Sequence, residues 1–132
     1  MATTLKDLME AGRTAAPSIT PAEAKVLLAA GTAIAVDVRD DSEVAASGKV
    51  TGALCTPRGH LEAKFDPASL GFVAGLDPKK TILVYCRSGG RATLAAKTFK
   101  DMGYPDVRIL GGFDDWVAAG GAVAGMGGTG DA

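Results

Sequence analysis

Residues 82–91 read ILVYCRSGGR, a short apolar run that ends in a cysteine and continues into two glycines and two arginines. The β-branched and aromatic residues of 81–85 predict a buried strand, and apolar residues at helical spacing in 92–102 predict a helix. Cys86 is therefore expected at a strand-to-helix turn. Such a turn gathers backbone N–H groups at the start of the helix, next to the sulfur atom.

The residues around Cys86 favour its thiolate form. Gly89 and Gly90 can adopt backbone angles that let successive amide N–H groups converge on one point. The N-terminus of the following helix adds a partial positive charge, and Arg87 and Arg91 add full positive charges. These groups would also bind an anion that the thiolate attacks. The segment therefore predicts a reactive thiol.

The alternative interpretation is that Cys86 packs as a small apolar residue in a core, the usual place for a lone intracellular cysteine. That interpretation explains the cysteine but not its neighbours. Gly89 and Gly90 cost helix stability without contributing side chains to packing, and local rules are broken in this way mainly at functional sites. We therefore interpret Cys86 as functional.

Strand-like and helix-like segments alternate along the whole chain, which predicts parallel βαβ units and an α/β fold. The other predicted strands are residues 33–38, 53–56 and 107–110, and the other predicted helices are residues 3–12, 21–30, 41–46, 61–65 and 113–119. The clearest helix start is Thr20-Pro21-Ala22-Glu23, a capping box with proline at the first helical position. In open parallel sheets, ligands bind beyond the carboxyl ends of the strands, where Cys86 is predicted to lie.

Composition limits the possible functions. A chain of 132 residues with 47% hydrophobic content fits one compact domain. A formal net charge of −1, with acids and bases interspersed, argues against a nucleic-acid partner. The first 16 residues lack the apolar core of a secretory signal, and no stretch reaches membrane-spanning length, so we expect a cytoplasmic protein without a membrane partner. One histidine and two widely spaced cysteines predict no metal site, and nothing predicts a cofactor.

Three segments together resemble the single-domain rhodaneses, sulfurtransferases that carry sulfur as a cysteine persulfide. Residues 35–39 read AVDVR, like the family's strand ending in Asp-Val-Arg, and an acidic Glu43 follows. Residues 48–53 read GKVTGA where the family has Gly-His-Ile-Pro-Gly-Ala, with lysine in place of the histidine and threonine in place of the proline. The third segment is the cysteine loop, which neither departure touches. The resemblance runs from about residue 18 to residue 121.

The resemblance implies a three-layer α/β domain, with a central, mostly parallel sheet flanked by helices on both faces. We accordingly divide the chain into an N-terminal helical segment (residues 1–17), a rhodanese domain (residues 18–121) and a glycine-rich flexible tail (residues 122–132). The tail has few side chains to bury, so we expect it to be mobile and without function.

The resemblance also implies an activity of the thiosulfate sulfurtransferase type. Cys86 is the predicted catalytic residue. The predicted substrate-binding residues are Arg87, Ser88, Gly89, Gly90, Arg91 and Arg58. The substrates would be a small anionic sulfur donor, such as thiosulfate, and a thiol or cyanide acceptor. A persulfide relay to or from a partner protein, or a module that binds such a partner, is the alternative.

A different enzyme class also places a thiolate in a loop that ends in arginine, namely the cysteine phosphatases and arsenate reductases. Their loops have one more residue between cysteine and arginine than the four that separate Cys86 from Arg91. A loop that is one residue shorter gives a tighter ring of backbone amides, which suits a single sulfur atom better than a tetrahedral oxyanion. Sulfur transfer is therefore the preferred hypothesis.

Five further residues have structural and functional interpretations. Asp37 is interpreted as a structural carboxylate bonded to a neighbouring loop, and a site residue is the alternative. Arg39 and Glu43, four residues apart, are expected to form an ion pair. His60 is expected on the rim of the site, with a general-base role as the alternative. Cys55 is expected to pack in a short strand, and a resolving thiol for the persulfide is the alternative.

Overall fold

The computed structural model describes residues 2–73 and 76–125. The helices are α1 (Leu5–Ala15), α2 (Pro21–Ala29), α3 (Asp41–Ser47), α4 (Leu61–Phe65), α5 (Gly90–Asp101) and α6 (Phe113–Ala118), and a 3-10 turn spans Arg58–His60. The strands are β1 (Ala33–Asp37), β2 (Lys49–Val50), β3 (Leu54–Cys55), β4 (Thr81–Cys86), β5 (Val107–Gly112) and β6 (Val123–Ala124). Among these residues, no helix has the length and apolar character needed to cross a membrane.

Four parallel strands form the central sheet in the order β3-β1-β4-β5. The inner strand β4 is buried almost along its length, as its β-branched and aromatic sequence predicts. Asp37 at the end of β1 is in register with Tyr85, so the carboxyl ends of β1 and β4 lie at the same edge. After β1 the chain continues to β3, on one side of the β1–β4 pair, whereas after β4 it continues to β5, on the other side. Such a reversal of strand order opens a crevice at this edge.

Helices cover both faces of the sheet. Ile82, Val84 and Cys86 face a core cluster built with α4 and α5, whereas Leu83 and Tyr85 face a second cluster built with α2 and α6. This alternation follows from the two-residue period of a strand. The prediction of a three-layer α/β domain is therefore confirmed.

Helix α1 lies outside these three layers and packs against α5. The predicted helix 3–12 in fact spans Leu5–Ala15, so Gly12 lies inside it rather than at its end. A Cβ added at Gly12 would lie 2.3 Å from the carbonyl oxygen of Thr93 on α5. Glycine is what lets the two helix backbones approach this closely.

The strands β2 and β6 form a small antiparallel sheet, with Val50 opposite Val123. The hydroxyl of Tyr85 anchors this sheet to the core, because it accepts a hydrogen bond of 3.0 Å from the Val50 N–H. The segment predicted as a flexible tail thus begins with an ordered strand at residues 123–124. The rest of that prediction, residues 126–132, lies outside the described residues.

Candidate active site

Cys86 is the last residue of β4, and its side chain is 1% exposed. The backbone N–H of Gly89 donates a hydrogen bond of 3.0 Å to the Cys86 sulfur. Gly89 is also the residue immediately before α5, so the first amides of that helix lie at the same turn. The sequence predicted a strand-to-helix turn with a backbone donor directed at the cysteine, and this geometry agrees with it.

The two glycines of the loop have different roles. Gly89 has a φ of +109°, a conformation that residues with a Cβ rarely adopt. Its carbonyl oxygen accepts a bond of 2.8 Å from the buried hydroxyl of Thr93, which fixes the peptide. Gly90 begins α5 without a positive φ, and a Cβ added there would meet nothing within 4 Å. Only Gly89 therefore needs to be glycine for the backbone of the loop.

A second pair of glycines, in β5, lies beneath the loop, and the sequence reasoning missed it. Gly112 is opposite Cys86, and a Cβ added at Gly112 would lie 2.5 Å from the carbonyl oxygen of Arg87. Gly111 has a φ of +89° and follows an irregularity in the pairing of β4 with β5. The signal in the sequence was the Gly-Gly pair directly after the apolar run 107–110. These glycines give the loop room to lie against the end of the sheet.

Glu43 and Arg91 form an ion pair that joins α3 to the start of α5. The Arg91 Nη1 atom lies 2.5 Å from Glu43 Oε1, and Nη2 lies 3.0 Å from Oε2. The arginine, mainly by hydrogen bonding, lowers the pKa of Glu43 from 4.5 to about 2, and the glutamate raises the pKa of Arg91. The predicted ion pair between Arg39 and Glu43 is therefore wrong, because Glu43 reaches across the crevice instead.

Arg39 pairs with Asp37 instead. Its Nη2 and Nε atoms lie 2.7 Å and 3.0 Å from the two carboxylate oxygens of Asp37, which is completely buried. The same guanidinium donates to the Ser47 hydroxyl and the Gly48 carbonyl oxygen, and it lies 4.4 Å from the centre of the Phe113 ring. Asp37 thus has the contacts of a structural carboxylate, which was the preferred interpretation. The four-residue spacing of Arg39 and Glu43 could not predict the pairing of Arg39 with Asp37. A bidentate contact between residues two positions apart requires the backbone to turn after β1.

Arg87 and Ser88 are the exposed residues of the loop. The Arg87 side chain is 73% exposed, and its Nε lies 3.9 Å from Asp114 Oδ2 of α6. This contact is long and solvated, so it holds the arginine only weakly. Of the two loop arginines, Arg87 is the one whose charge is more available to an incoming anion.

Arg58 and His60 lie in the 3-10 turn after β3. The guanidinium of Arg58 donates a hydrogen bond of 3.2 Å to the Glu62 carboxylate and one of 2.9 Å to the hydroxyl of Thr98, in the second half of α5. Its side chain is therefore directed along α5 rather than toward Gly89. His60 is exposed, and no contact in the described structure brings it to Cys86.

The two cysteines lie on opposite faces of the sheet. Cys55 is in register with Asp37 and hence with Tyr85, whereas Cys86, the next residue, points to the other face. The intervening strand β1 also separates β3 from β4, which puts the two backbones about 10 Å apart, beyond the roughly 7 Å limit for a disulfide. Burial raises the pKa of the Cys55 thiol. This geometry does not fit the alternative of Cys55 as a resolving thiol.

No group of three or more His, Cys, Asp or Glu side chains suited to a metal ion occurs within residues 2–73 and 76–125.

A known protein family matches this chain over the region that contains the Cys86 loop. The family model for the rhodanese-like domain matches residues 20–119. The chain therefore belongs to the rhodanese-like family.

A curated sequence and a solved structure that are both named as sulfurtransferases are human. A curated thiosulfate:glutathione sulfurtransferase is 30% identical over 109 residues, covering 77% of this chain and 94% of its own. The structure of a human single-domain sulfurtransferase, 28% identical, superposes with a TM-score of 0.68 and covers 78% of this chain and 96% of its own. These relatives place the chain among sulfurtransferase homologues.

A bacterial structure matches over a longer range. A protein of unknown function from Rhodopseudomonas palustris, titled a possible tyrosine phosphatase, is 34% identical. It superposes with a TM-score of 0.84 and covers 94% of this chain and 96% of its own. The share of this chain that is covered exceeds the 78% covered by the human sulfurtransferase structure.

Proposed function

We propose that this protein is a sulfurtransferase that moves sulfane sulfur from a donor such as thiosulfate to a thiol or cyanide acceptor through a persulfide on Cys86. One contact carries the proposal, the hydrogen bond of 3.0 Å from the Gly89 N–H to the Cys86 sulfur. A backbone donor directed at a cysteine sulfur favours the thiolate and later favours a negatively charged persulfide at the same place. Membership of the rhodanese-like family and the similarity to a human sulfurtransferase sequence and structure support the same reaction type.

In the first half-reaction, the Cys86 thiolate attacks the outer sulfur of thiosulfate. The S–S bond of thiosulfate breaks with its electron pair, sulfite leaves, and a new S–S bond forms on Cys86. Arg87, which is largely exposed, would neutralise the anionic end of the donor as sulfite departs. Ser88, Gly89 and Gly90 would contribute backbone N–H groups to the terminal sulfur.

Arg91 has a more indirect part in this scheme than the sequence suggested. Its guanidinium is engaged by both carboxylate oxygens of Glu43. It would therefore act mainly by fixing the start of α5. Arg58 is bonded to Glu62 and Thr98, and it would have to leave these partners to bind a donor.

In the second half-reaction, the proton of the acceptor thiol passes to the outer sulfur of the anionic persulfide, and the resulting acceptor thiolate attacks that sulfur. A new S–S bond forms on the acceptor, the S–S bond at Cys86 breaks, and Cys86 leaves as a thiolate ready for another donor. Cyanide would accept the same sulfur atom to give thiocyanate. Because the sulfur waits on the enzyme between the two steps, ping-pong kinetics are expected.

Intact-protein mass spectrometry after brief incubation with thiosulfate tests the proposal. The wild type should gain the mass of one sulfur atom and lose it again on addition of cyanide, whereas Cys86→Ser should gain nothing. The serine hydroxyl neither ionises near neutral pH nor forms a persulfide. A sulfur adduct that persists in Cys86→Ser, or no adduct with thiosulfate or with a persulfide-loaded protein donor, would contradict the assignment. An adduct only from the protein donor would favour the relay.

Phosphatase activity is the second candidate because the Rhodopseudomonas relative is titled a possible tyrosine phosphatase. Two features of this chain argue against it: four residues separate Cys86 from Arg91, and Arg91 is paired with Glu43 rather than free to hold a phosphate. Release of p-nitrophenol from its phosphate ester, abolished in Cys86→Ser and inhibited by vanadate, would favour the phosphatase.

A further inference from the structure

The hydroxyl of Thr93, near the start of α5, holds the residue that donates to the Cys86 sulfur. It donates a hydrogen bond of 2.8 Å to the Gly89 carbonyl oxygen, which also accepts one of 2.9 Å from the Thr93 backbone N–H. A threonine in a helix often bonds to the carbonyl four residues earlier. Here that carbonyl belongs to a residue with a φ of +109°, and the N–H of the same residue donates to the Cys86 sulfur.

The two ends of Gly89 are coupled through its backbone angles. Its N–H and its carbonyl belong to two peptide planes that meet at one Cα, and φ and ψ set the angle between those planes. A glycine without a Cβ restricts these angles very little by itself. A second donor on the Gly89 carbonyl therefore narrows the range of directions in which the Gly89 N–H can point.

Helix α1 contacts the other branch of the Thr93 side chain. The methyl carbon Cγ2 lies 2.7 Å from the position that a Cβ on Gly12 would take, so the methyl group faces α1. The Thr93 side chain is only 6% exposed, and a threonine in a helix divides between two χ1 rotamers. Packing of the methyl group against α1 favours the rotamer whose hydroxyl reaches Gly89.

We propose that Thr93 is a positioning residue for the Cys86 sulfur, and that α1 keeps it in the rotamer that does so. Thr93 acts through Gly89, by keeping its N–H directed at the sulfur. The inference rests on the proposed function and deepens it, because a donor held on the sulfur favours the thiolate that attacks the sulfur donor. It also gives a role in the site to α1, which lies outside the region that the family model matches, residues 20–119.

The variant Thr93→Val removes the hydroxyl and leaves a methyl group to face Gly12. It changes no charge, so the electrostatic surroundings of the thiol stay as they are. The charged groups on the elements packed around the loop are Asp37, Arg39, Asp40, Glu43, Arg58, Arg87, Arg91 and Asp114.

An NMR titration of protein labelled with ¹³C at the cysteine β-carbons measures the ionisation of Cys86 without any substrate. The midpoint should lie about 0.5 pH unit higher in Thr93→Val than in the wild type, because a poorly directed N–H favours the thiolate less. Thr93→Ser keeps the hydroxyl and should titrate within about 0.2 pH unit of the wild type. Below the midpoint, persulfide formation with thiosulfate should be about three-fold slower in Thr93→Val, in proportion to the thiolate fraction.

Thr81→Val is the matched control. Thr81 begins β4, at the opposite end of the strand from Cys86, and its hydroxyl donates a hydrogen bond of 2.8 Å to Asp106. This variant loses a hydrogen bond of the same length without touching Gly89, so Cys86 should titrate as in the wild type. An unchanged midpoint in Thr93→Val would overturn the inference, and so would an equal shift in Thr93→Ser or in Thr81→Val.

The titration keeps the two proposals distinguishable because it is made on the free protein. If Thr93→Val shifts the midpoint but the wild type gains no sulfur from any donor, Thr93 positions the thiol and the proposed function fails. If the wild type gains one sulfur atom from thiosulfate and Thr93→Val titrates like the wild type, the role of Thr93 is wrong and the sulfurtransferase assignment stands.

Discussion

Gly89 combines two requirements at one residue. Its N–H donates to the Cys86 sulfur, and its φ of +109° turns the chain into α5. A side chain at this position would push the backbone toward ordinary angles, and the N–H would then turn away from the sulfur. The cost of such strain is about 1–2 kcal/mol for a residue with a Cβ.

We therefore predict that Gly89→Ala lowers both the free energy of unfolding, by about 1–2 kcal/mol, and the rate of persulfide formation. Gly90→Ala is the matched control for stability, because Gly90 has ordinary backbone angles and room for a Cβ. Urea denaturation and stopped-flow kinetics with thiosulfate measure the two effects. Equal stability losses in the two variants would show that the positive φ is not what makes Gly89 necessary.

At the scale of elements, the ion pair between Glu43 and Arg91 links α3 to α5 across the crevice. The folded protein holds the pKa of Glu43 at about 2, against an ordinary value of 4.5. The carboxylate therefore contributes to stability above pH 4.5 and loses that contribution as the pH falls toward 2. The pair is partly exposed, so its contribution is on the order of 1 kcal/mol.

We predict that Glu43→Gln is less stable than the wild type at pH 6 and that the difference shrinks as the pH falls from about 4.5 to about 2. Thermal unfolding followed by circular dichroism over this pH range measures it. Glu10→Gln, at an exposed position of α1, is the control and should follow the wild-type curve. A difference between Glu43→Gln and the wild type that stays constant down to pH 2 would show that the carboxylate is not ionised in this way.

Local signals in the sequence were sufficient for most elements but not for long-range pairs. The helix Leu61–Phe65 has the predicted bounds, and α2 begins at the predicted capping box of Thr20 and Glu23. The strands β2 and β6 have two residues each, and their pairing joins positions more than 70 residues apart, so no local pattern could predict them. Glu43 likewise has its partner on α5, which spacing along one helix cannot reveal.

In the candidate site, too, some features could be predicted from the local sequence and others could not. The position of Cys86 at the end of β4 and the donor from Gly89 follow from residues 81–91 alone. The support from Gly112 and the contact of Asp114 with Arg87 come from β5 and α6, which meet the loop only in the folded chain. Sequence-based reasoning therefore located the proposed nucleophile at the end of its strand but not the residues that β5 and α6 bring to it.

For the molecule as a whole, α1 extends the fold beyond the region that the family model matches, residues 20–119. It packs on α5, the helix that begins at the cysteine loop, and Gly12 lies where an added Cβ would meet the α5 backbone at Thr93. A side chain at Gly12 would have to displace the Thr93 backbone or separate the two helices. Thr93 in turn holds the carbonyl oxygen of Gly89.

We predict that Gly12→Val lowers the free energy of unfolding by about 1–3 kcal/mol, as expected for overpacking at a close contact. Thr14→Val places the same side chain at an exposed position of the same helix and should have little effect on stability. Urea denaturation of the two variants measures the difference. A Gly12→Val protein as stable as Thr14→Val would show that α1 contributes little to holding α5.

The separation of the two cysteines by the central sheet has a consequence for the fate of bound sulfur. Cys55 and Cys86 are the only cysteines of the chain, and they face opposite sides of that sheet. If the proposed persulfide forms on Cys86, this separation prevents its discharge through an internal disulfide with Cys55. Its residence time would be set by the concentration of thiols in the surrounding solution, so the loaded protein would empty at a rate that rises with acceptor supply.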